Sequence, residues 1–229
     1  QPTSYFSAPS EYDFFGGFDH GKKCGVVHIA DHHISPGKKM FTWAYNQLSE
    51  SWENALTDSD GAYAELMAGV YSDNQPDFAW IEPYETKVFS QSWFPIGDLG
   101  VPCYANLNLA VHWEEEKLVI QPTKDMEAEI TVTDGGKTVF EKKCTLFAGK
   151  PSEFSPVPKK EGYKLSVKAN GKTVAEYENK AKKPYNIPDT TEDMPYFKEV
   201  KTADELYLEG VHVMQYRDPA VKADSYFNE

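Results

Sequence analysis

The chain has 229 residues, of which 40% are hydrophobic and 14% are aromatic. This content of apolar residues is sufficient to form hydrophobic cores, which excludes a chain that is disordered throughout. The sequence contains no run of about 18 apolar residues of the kind that spans a membrane. The net charge of −13 argues against nucleic acid as a partner, because the phosphates would be repelled.

The charge is unevenly distributed along the chain. Residues 1–115 carry a net charge of −11, residues 116–185 carry +4, and residues 186–229 carry −6. Such blocks predict three units with different surfaces. The three cysteines lie far apart in the sequence and form no CxxC pair. This spacing indicates neither a disulfide framework nor a structural zinc site, and it leaves a single disulfide as an alternative.

The first unit is predicted to consist of strands separated by long loops. Asn46–Asp60 is polar and is predicted to hold about one helical turn. Short apolar runs predict strands over Gly25–Ala30, Lys39–Trp43, Tyr63–Tyr71, Tyr84–Ile96 and Asn106–Trp113.

The second unit is predicted to be a small immunoglobulin-like sandwich. Asp134-Gly135-Gly136 and Asn170-Gly171 supply the residues with positive φ that tight hairpins need. The predicted strands cover Lys117–Gln121, Glu127–Thr133, Thr138–Lys143, Tyr163–Lys168 and Lys172–Tyr177.

The third unit changes to a helical period after a linker that contains Pro184 and Pro188. Thr202 and Glu205 form a capping box that predicts the start of a helix. A second helix is predicted from Ala220 to Asn228. Two short helices bury their faces poorly alone, so we interpret them as the start of a longer helical array.

Glu65 is a candidate functional residue in the middle of a predicted strand. Alternation places Tyr63, Glu65 and Met67 on one face of that strand. Exposed strands often carry glutamate, so the spacing alone favours a structural role for Glu65.

The segment around Glu65 resembles the galactose mutarotase (aldose 1-epimerase) superfamily. In that superfamily the catalytic glutamate is followed nine residues later by an Asn-Gln-Pro-x-Phe loop and then by a turn into a long outer strand. Here Glu65 is followed by Asn74-Gln75-Pro76-Asp77-Phe78 and by Pro83-Tyr84-Glu85. Upstream, Pro36-Gly37 and Phe41-Thr42-Trp43 look like a further family stretch. The resemblance covers roughly residues 16–96 and is most specific from residue 65 onwards.

Three longer sequence segments are similar to an uncharacterised bacterial family whose members join a mutarotase-like domain to a small β domain and to tetratricopeptide repeats. The segments are HIADHHISPGKKMFTW, YAELMAGVYSDNQPDF and PYETKVFSQSWFPI. The resemblance implies a mainly β chain: the C-terminal part of a mutarotase-like β-supersandwich (1–115), an immunoglobulin-like sandwich (116–185), and a linker with a short helical hairpin (186–229). It implies sugar-binding ancestry but no established reaction.

By this resemblance Glu65 would be the base that takes the proton of the anomeric hydroxyl. The superfamily's acid is a histidine from an earlier strand, upstream of the matched region, so this chain alone is not expected to turn over a sugar. The predicted carbohydrate-binding residues supply hydrogen bonds or stacking faces: Trp43, Tyr71, Asn74, Gln75 and Asp77.

The run Asp31-His32-His33, with His28 nearby, contains metal-ligating side chains. His28 and His32 have a spacing that aligns side chains on a helix but not on the predicted strand and turn. Neighbouring histidines on an extended backbone point apart, whereas zinc needs three or four converging ligands. The sequence therefore favours hydrogen-bonded loop histidines, and no metal or cofactor is expected.

Two functions remain open at this point. One is carbohydrate binding, with an epimerase-like or glycoside-hydrolase-like reaction in a longer protein. The other is a non-catalytic scaffold that binds protein partners through its helical repeats. The chain begins at Gln1 without a leader, so we expect a processed chain or a piece of a longer protein. The acidic composition leans weakly towards a periplasmic or secreted location.

Overall fold

The computed structural model describes residues 3–7, 10–43, 45–72, 74, 79, 81–181, 194–216 and 221–229. Strands predominate and the helices are short, which confirms the predicted mainly β fold. Within the described ranges no helix is both long and apolar enough to cross a membrane. The strands are β1 (Thr3–Phe6), β2 (Phe14–Asp19), β3 (Cys24–Ile29), β4 (Gly37–Thr42), β5 (Ala64–Gly69), β6 (Ser92–Gly97), β7 (Tyr104–Ala105), β8 (Leu109–Glu114), β9 (Lys117–Pro122), β10 (Met126–Asp134), β11 (Lys137–Leu146), β12 (Ser152–Phe154), β13 (Lys164–Ala169) and β14 (Lys172–Glu178).

These strands form four antiparallel sheets. The first sheet has the order β1-β4-β5, the second β2-β3-β6, the third β12-β9-β8-β7, and the fourth β11-β10-β13-β14. The helices are α1 (Gln47–Leu56), α2 (Ala203–Tyr216) and α3 (Asp224–Phe227), with a short 3₁₀ helix at Phe197–Glu199.

The third and fourth sheets pack face to face around the larger core. Alternate apolar side chains of each sheet point inward, as a sandwich requires. Trp113 is 1% exposed within this core, and its indole Nε1 donates to the Val157 carbonyl oxygen over 3.1 Å. Gly135, Gly136, Asn170 and Gly171 all have positive φ, so both tight hairpin turns predicted for this unit are confirmed. The core side chains include Leu109, Val111, Leu118, Ile120, Ile130, Val132, Leu165 and Val167.

The third sheet is buried on both faces. Ala110 and Val119 point away from the sandwich core and pack against the second sheet. Their partners there are buried apolar residues, namely Val27, Ile29 and Ile96. The hairpin β8–β9 therefore spans the boundary at 115/116 that the charge blocks suggested. The division into domains stays a prediction.

The first sheet packs on the opposite face of the second sheet. Leu66 lies so close to Gly17 that its Cδ1 atom is 3.2 Å from the position a β-carbon there would occupy. Lys38 is 1% exposed, and its Nζ donates a hydrogen bond to the Tyr12 carbonyl oxygen. His28 is fully buried in the same interface, against the Trp93 ring. The four sheets thus stack in the order first, second, third, fourth.

Two predicted elements between residues 46 and 96 differ from the structure. The strand predicted over Tyr84–Ile96 is wrong in its first half. A turn in which the Glu85 amide donates to the Glu82 carbonyl oxygen over 2.9 Å covers its start, and β6 begins only at Ser92. The polar segment predicted to hold about one turn contains the ten-residue helix α1. Asn46 starts that helix by accepting hydrogen bonds from two amides of its first turn.

The C-terminal helices follow the predicted capping box. The Glu205 amide donates to Thr202 Oγ1 over 3.2 Å at the start of α2. Gly210 lets the ring of Phe227 approach α2 closely, since a β-carbon at Gly210 would lie 2.3 Å from that ring. The predicted second helix is shorter than Ala220–Asn228, and the linker prolines lie outside the described residues.

Candidate functional site

Glu65 lies on the face of the first sheet that points away from the second sheet, which we call the outer face. Side chains alternate along a strand, and Leu66 points inward to Gly17. In the antiparallel register Glu65 lies opposite Phe41, and Met67 lies opposite Lys39. The outer face consequently carries Lys39, Phe41, Trp43, Tyr63, Glu65 and Met67.

Aromatic rings form one end of the outer face. Trp43 and Tyr63 are stacked, with ring centroids 4.3 Å apart and an angle of 18° between their planes. Trp52 of α1 meets Trp43 edge-on at 5.3 Å. The helix is held there because Ser49 Oγ donates to the Trp43 carbonyl oxygen over 2.6 Å. The segment between the two strands thus folds back and fixes the aromatic rings.

The Glu65 carboxylate is joined directly to this aromatic end. The Tyr63 hydroxyl donates a hydrogen bond to Glu65 Oε1. This bond raises the pKa of Tyr63 above its ordinary value, since ionisation would remove the donor and place two negative charges together. Glu65 is half-buried, and its carboxylate keeps acceptor capacity for a hydroxyl of a ligand.

A lysine and an asparagine form the polar part of the outer face. Lys39 Nζ donates to Asn74 Oδ1 over 2.5 Å and also lies 5.8 Å from the centre of the Phe6 ring. The structure therefore connects Asn74 with β4, the strand that directly precedes Trp43. Two further residues of this face, Lys39 and Tyr63, were not among the predicted binding residues. Alternation had already placed Tyr63 beside Glu65, and pairing that strand with the Lys39–Trp43 run would have found Lys39.

Tyr71 is not brought together with the aromatic end. Tyr71 lies just beyond the C-terminal end of β5, whereas Tyr63 lies directly before its N-terminal end. Its backbone has a φ of 65°, and its amide donates to the Ile34 carbonyl oxygen over 2.8 Å. Its ring meets Phe89 edge-on at 5.8 Å. The other two predicted binding residues, Gln75 and Asp77, lie outside the described residues.

The histidines of the first and second sheets lie away from Glu65 in the fold. His28 is buried between these sheets, and His20 lies in the turn between β2 and β3. His32 and His33 occupy the loop that precedes β4. The geometry thus provides Glu65 with a tyrosine hydroxyl as its hydrogen-bond partner.

Comparison with known families gives one match that covers the outer face. Residues 2–96 are similar to a family described as a domain of unknown function, DUF5107. The match begins just before β1 and ends within β6, so it includes all of the first sheet and nearly all of the second. The outer face therefore lies within the matched residues, and the description of the matching family assigns no activity.

Proposed function

We propose that this chain is part of a bacterial carbohydrate-binding or carbohydrate-active protein of the mutarotase-like superfamily, with its sugar site on the outer face. The observation that carries the proposal is the Trp43–Tyr63 stack joined to the Glu65 carboxylate. Aromatic rings pack against the apolar C–H faces of a sugar, while a carboxylate accepts hydrogen bonds from its hydroxyls. Both kinds of group occur here within one sheet face.

The length of the outer face suits a small glycan. Glu65 lies two residues from Tyr63 in one direction and two from Met67, which pairs with Lys39, in the other. At about 3.3 Å per residue, the site spans roughly 13 Å along the strands. This length accommodates a monosaccharide or a disaccharide, with its apolar face at Trp43 and its hydroxyls towards Lys39 and Asn74.

Any reaction would require a second group. Opening a sugar ring needs a base for the anomeric hydroxyl and an acid for the ring oxygen. Glu65 supplies the base in this proposal, and the acid comes from outside the chain. We therefore expect binding without turnover by this chain alone.

The proposal is tested by calorimetric titration with galactose, glucose, mannose and their disaccharides. Trp43→Ala and Glu65→Gln are expected to weaken binding by at least about 10-fold, because each removes a contact worth about 1.4 kcal/mol or more. Phe147→Ala and Glu141→Gln are matched controls, since both residues are exposed on the sandwich. Absence of binding to every sugar, or equal binding by all variants, would contradict the proposal.

A second candidate function is protein binding through the C-terminal helices. Tyr207, Leu208 and Met214 of α2 are 62%, 64% and 52% exposed, and such apolar exposure is typical of surfaces that contact another protein. Pull-down experiments with wild type and Leu208→Asp test this function. A specific partner that is lost in the variant would support it, and the absence of any specific partner would contradict it.

A further inference from the structure

A second cluster of functional side chains lies in the loop between β3 and β4. Residues 32–34 form a turn, in which the Ser35 amide donates to the Asp31 carbonyl oxygen over 2.8 Å. The turn predicted after the strand is therefore confirmed, and these neighbouring histidines do not lie on the extended backbone that would point them apart. The turn brings the rings of His32 and His33 together, with centroids 3.9 Å apart.

Each histidine of this loop is oriented by its own carboxylate. His32 Nδ1 lies 2.7 Å from Asp13 Oδ1, and His33 Nδ1 lies 3.1 Å from Asp31 Oδ1. An ionised carboxylate is only an acceptor, so Nδ1 of each neutral ring carries the proton. In His32 the lone pair then lies on Nε2, on the side of the ring away from Asp13, which is the arrangement that carboxylate–histidine pairs adopt at metal centres.

Backbone hydrogen bonds hold the two carboxylates in place. The His32 amide donates to Asp13 Oδ1 over 3.0 Å, and the His33 amide donates to Asp31 Oδ1 over 2.9 Å. Each aspartate thus accepts from both the ring and the backbone amide of its own histidine, which fixes the position of the carboxylate relative to that ring.

Three of these side chains already converge. A ring nitrogen from each histidine and a carboxylate oxygen of Asp31 all lie within 4.8 Å of one another. Ligand atoms around a tetrahedral zinc ion lie about 3.4 Å apart, given bonds of about 2.0–2.1 Å. When Asp31 and His33 both bind the cation, bonds to the cation replace the hydrogen bond between their side chains. Both side chains are exposed, so they can rotate to close the remaining gap.

We propose that Asp31, His32 and His33 bind a late first-row divalent cation such as Zn²⁺, with Asp13 as the positioning residue for His32. Imidazole nitrogens select Zn²⁺, Co²⁺, Ni²⁺ or Cu²⁺ over Mg²⁺ and Ca²⁺, which prefer oxygen ligands. Asp31 supplies a carboxylate oxygen to the cation, and Asp13 places a second carboxylate beside His32. Three protein ligands leave at least one coordination position for water or an exogenous ligand.

The proposed cation site is separate from the outer-face sugar site. Its loop is attached to the far end of β5, where Ser35 Oγ donates to the Gly69 carbonyl oxygen over 3.1 Å. Trp43 and Tyr63 lie at the other end of the same sheet. Either site can therefore fail its test without affecting the other.

The test is a titration of the metal-free protein with Zn²⁺, together with the visible absorption spectrum of the Co²⁺ form. We expect one Zn²⁺ per chain, and a Co²⁺ spectrum typical of four- or five-coordination. His32→Gln and His33→Gln are each expected to weaken Zn²⁺ binding by at least about 10-fold, and Asp13→Asn by roughly 10-fold through the orientation of His32. Millimolar Mg²⁺ is not expected to displace the ion.

His20→Gln is the matched control. His20 is exposed in the turn at the opposite end of the β2–β3 hairpin, about 20 Å away at the rise of a strand. Circular dichroism of each variant checks that the fold is retained, and Asp31→Asn serves as a further ligand variant if one of the others does not fold. The proposal is overturned if wild type binds no Zn²⁺ at about 1 mM, if the loop variants bind as wild type does, or if His20→Gln weakens binding equally.

Discussion

The hydrogen bond between Tyr63 and Glu65 can be measured without any ligand. The pKa of the Tyr63 phenol is raised chiefly by its hydrogen bond to the Glu65 carboxylate. Burial of the phenol and the negative charge of Glu65 raise it further. Glu65→Gln removes the charge and is expected to lower the pKa of this one tyrosine towards its ordinary value of about 10. Titration of ¹³C-labelled tyrosine by NMR measures the change. If Glu65→Gln shifts no tyrosine more than the control Glu141→Gln does, the two side chains are not in contact.

A second prediction at the residue scale concerns His28. Both of its ring nitrogens are buried without a hydrogen-bond partner among the described residues. Burial, followed by the charge of Lys38, lowers the pKa of His28 from 6.5 to about 4. The folded state thus keeps His28 neutral while the unfolded chain takes up a proton below about pH 6.5. Because the unfolded state then binds more protons, stability falls as the pH drops from 6.5 towards 4 and levels off below that.

The loss attributable to His28 is at most roughly 3–4 kcal/mol, since the shift covers about 2.5 pKa units and one pKa unit corresponds to about 1.4 kcal/mol. Urea unfolding of wild type and His28→Leu at pH 7 and pH 4.5 measures it. We expect the variant to lose less stability than wild type over this range. His20→Gln should retain the wild-type pH dependence, and the same dependence in His28→Leu would show that the ring is not buried as described.

At the scale of elements, the β2–β3 hairpin depends on close contact between backbones. A β-carbon at Gly25 would lie 2.1 Å from the Gly17 carbonyl oxygen of the neighbouring strand. Gly25→Ala must therefore displace backbone, and we expect it to cost about 2–3 kcal/mol. Gly97→Ala is the matched control, because a β-carbon at Gly97 in the same sheet would meet its nearest atom at 4.0 Å. Thermal unfolding compares the two, and equal losses would contradict the explanation.

Some elements were predictable because their signals are local. The hairpin turns of the sandwich depend on glycine and asparagine at positions with positive φ, and the start of α2 depends on a capping threonine. Asn46 was an equally local signal for α1, but the polar composition of that segment obscured it. The strand β2 was missed because Gly16 and Gly17 interrupt its apolar pattern.

The candidate site was only partly predictable because strand pairing is not local. Alternation placed Tyr63, Glu65 and Met67 on one face from the sequence alone. That Trp43 would stack on Tyr63, and that Lys39 would lie opposite Met67, follows from the register between β4 and β5. Tyr71 was predicted to offer a stacking face at the end of a strand over Tyr63–Tyr71, whereas β5 ends at Gly69, Tyr71 has a positive φ, and its ring meets Phe89.

At the scale of the whole molecule, Gln121 connects the sandwich to the second sheet. It lies on β9 and is 3% exposed. Its side-chain amide donates to the Pro95 carbonyl oxygen over 2.9 Å, and its Oε1 accepts from the Gly97 amide over 3.0 Å. Both backbone groups belong to β6, the edge strand of the second sheet. The side chain of Gln121 thus provides hydrogen-bond partners for two backbone groups of this edge strand that would otherwise be unpaired.

Replacing Gln121 with methionine preserves length and apolar packing but removes both hydrogen bonds. Leaving two buried backbone groups unpaired is expected to cost about 2–4 kcal/mol. Because the loss falls on β6, the amides of β3 and β6 should exchange faster with solvent, while those of β10 and β13 in the fourth sheet keep their protection. Hydrogen–deuterium exchange measures this difference, with the exposed Gln215→Met as the control. Uniform loss of protection in every sheet would mean that the stack unfolds as one unit, and unchanged exchange in β6 would mean that Gln121 does not hold its edge.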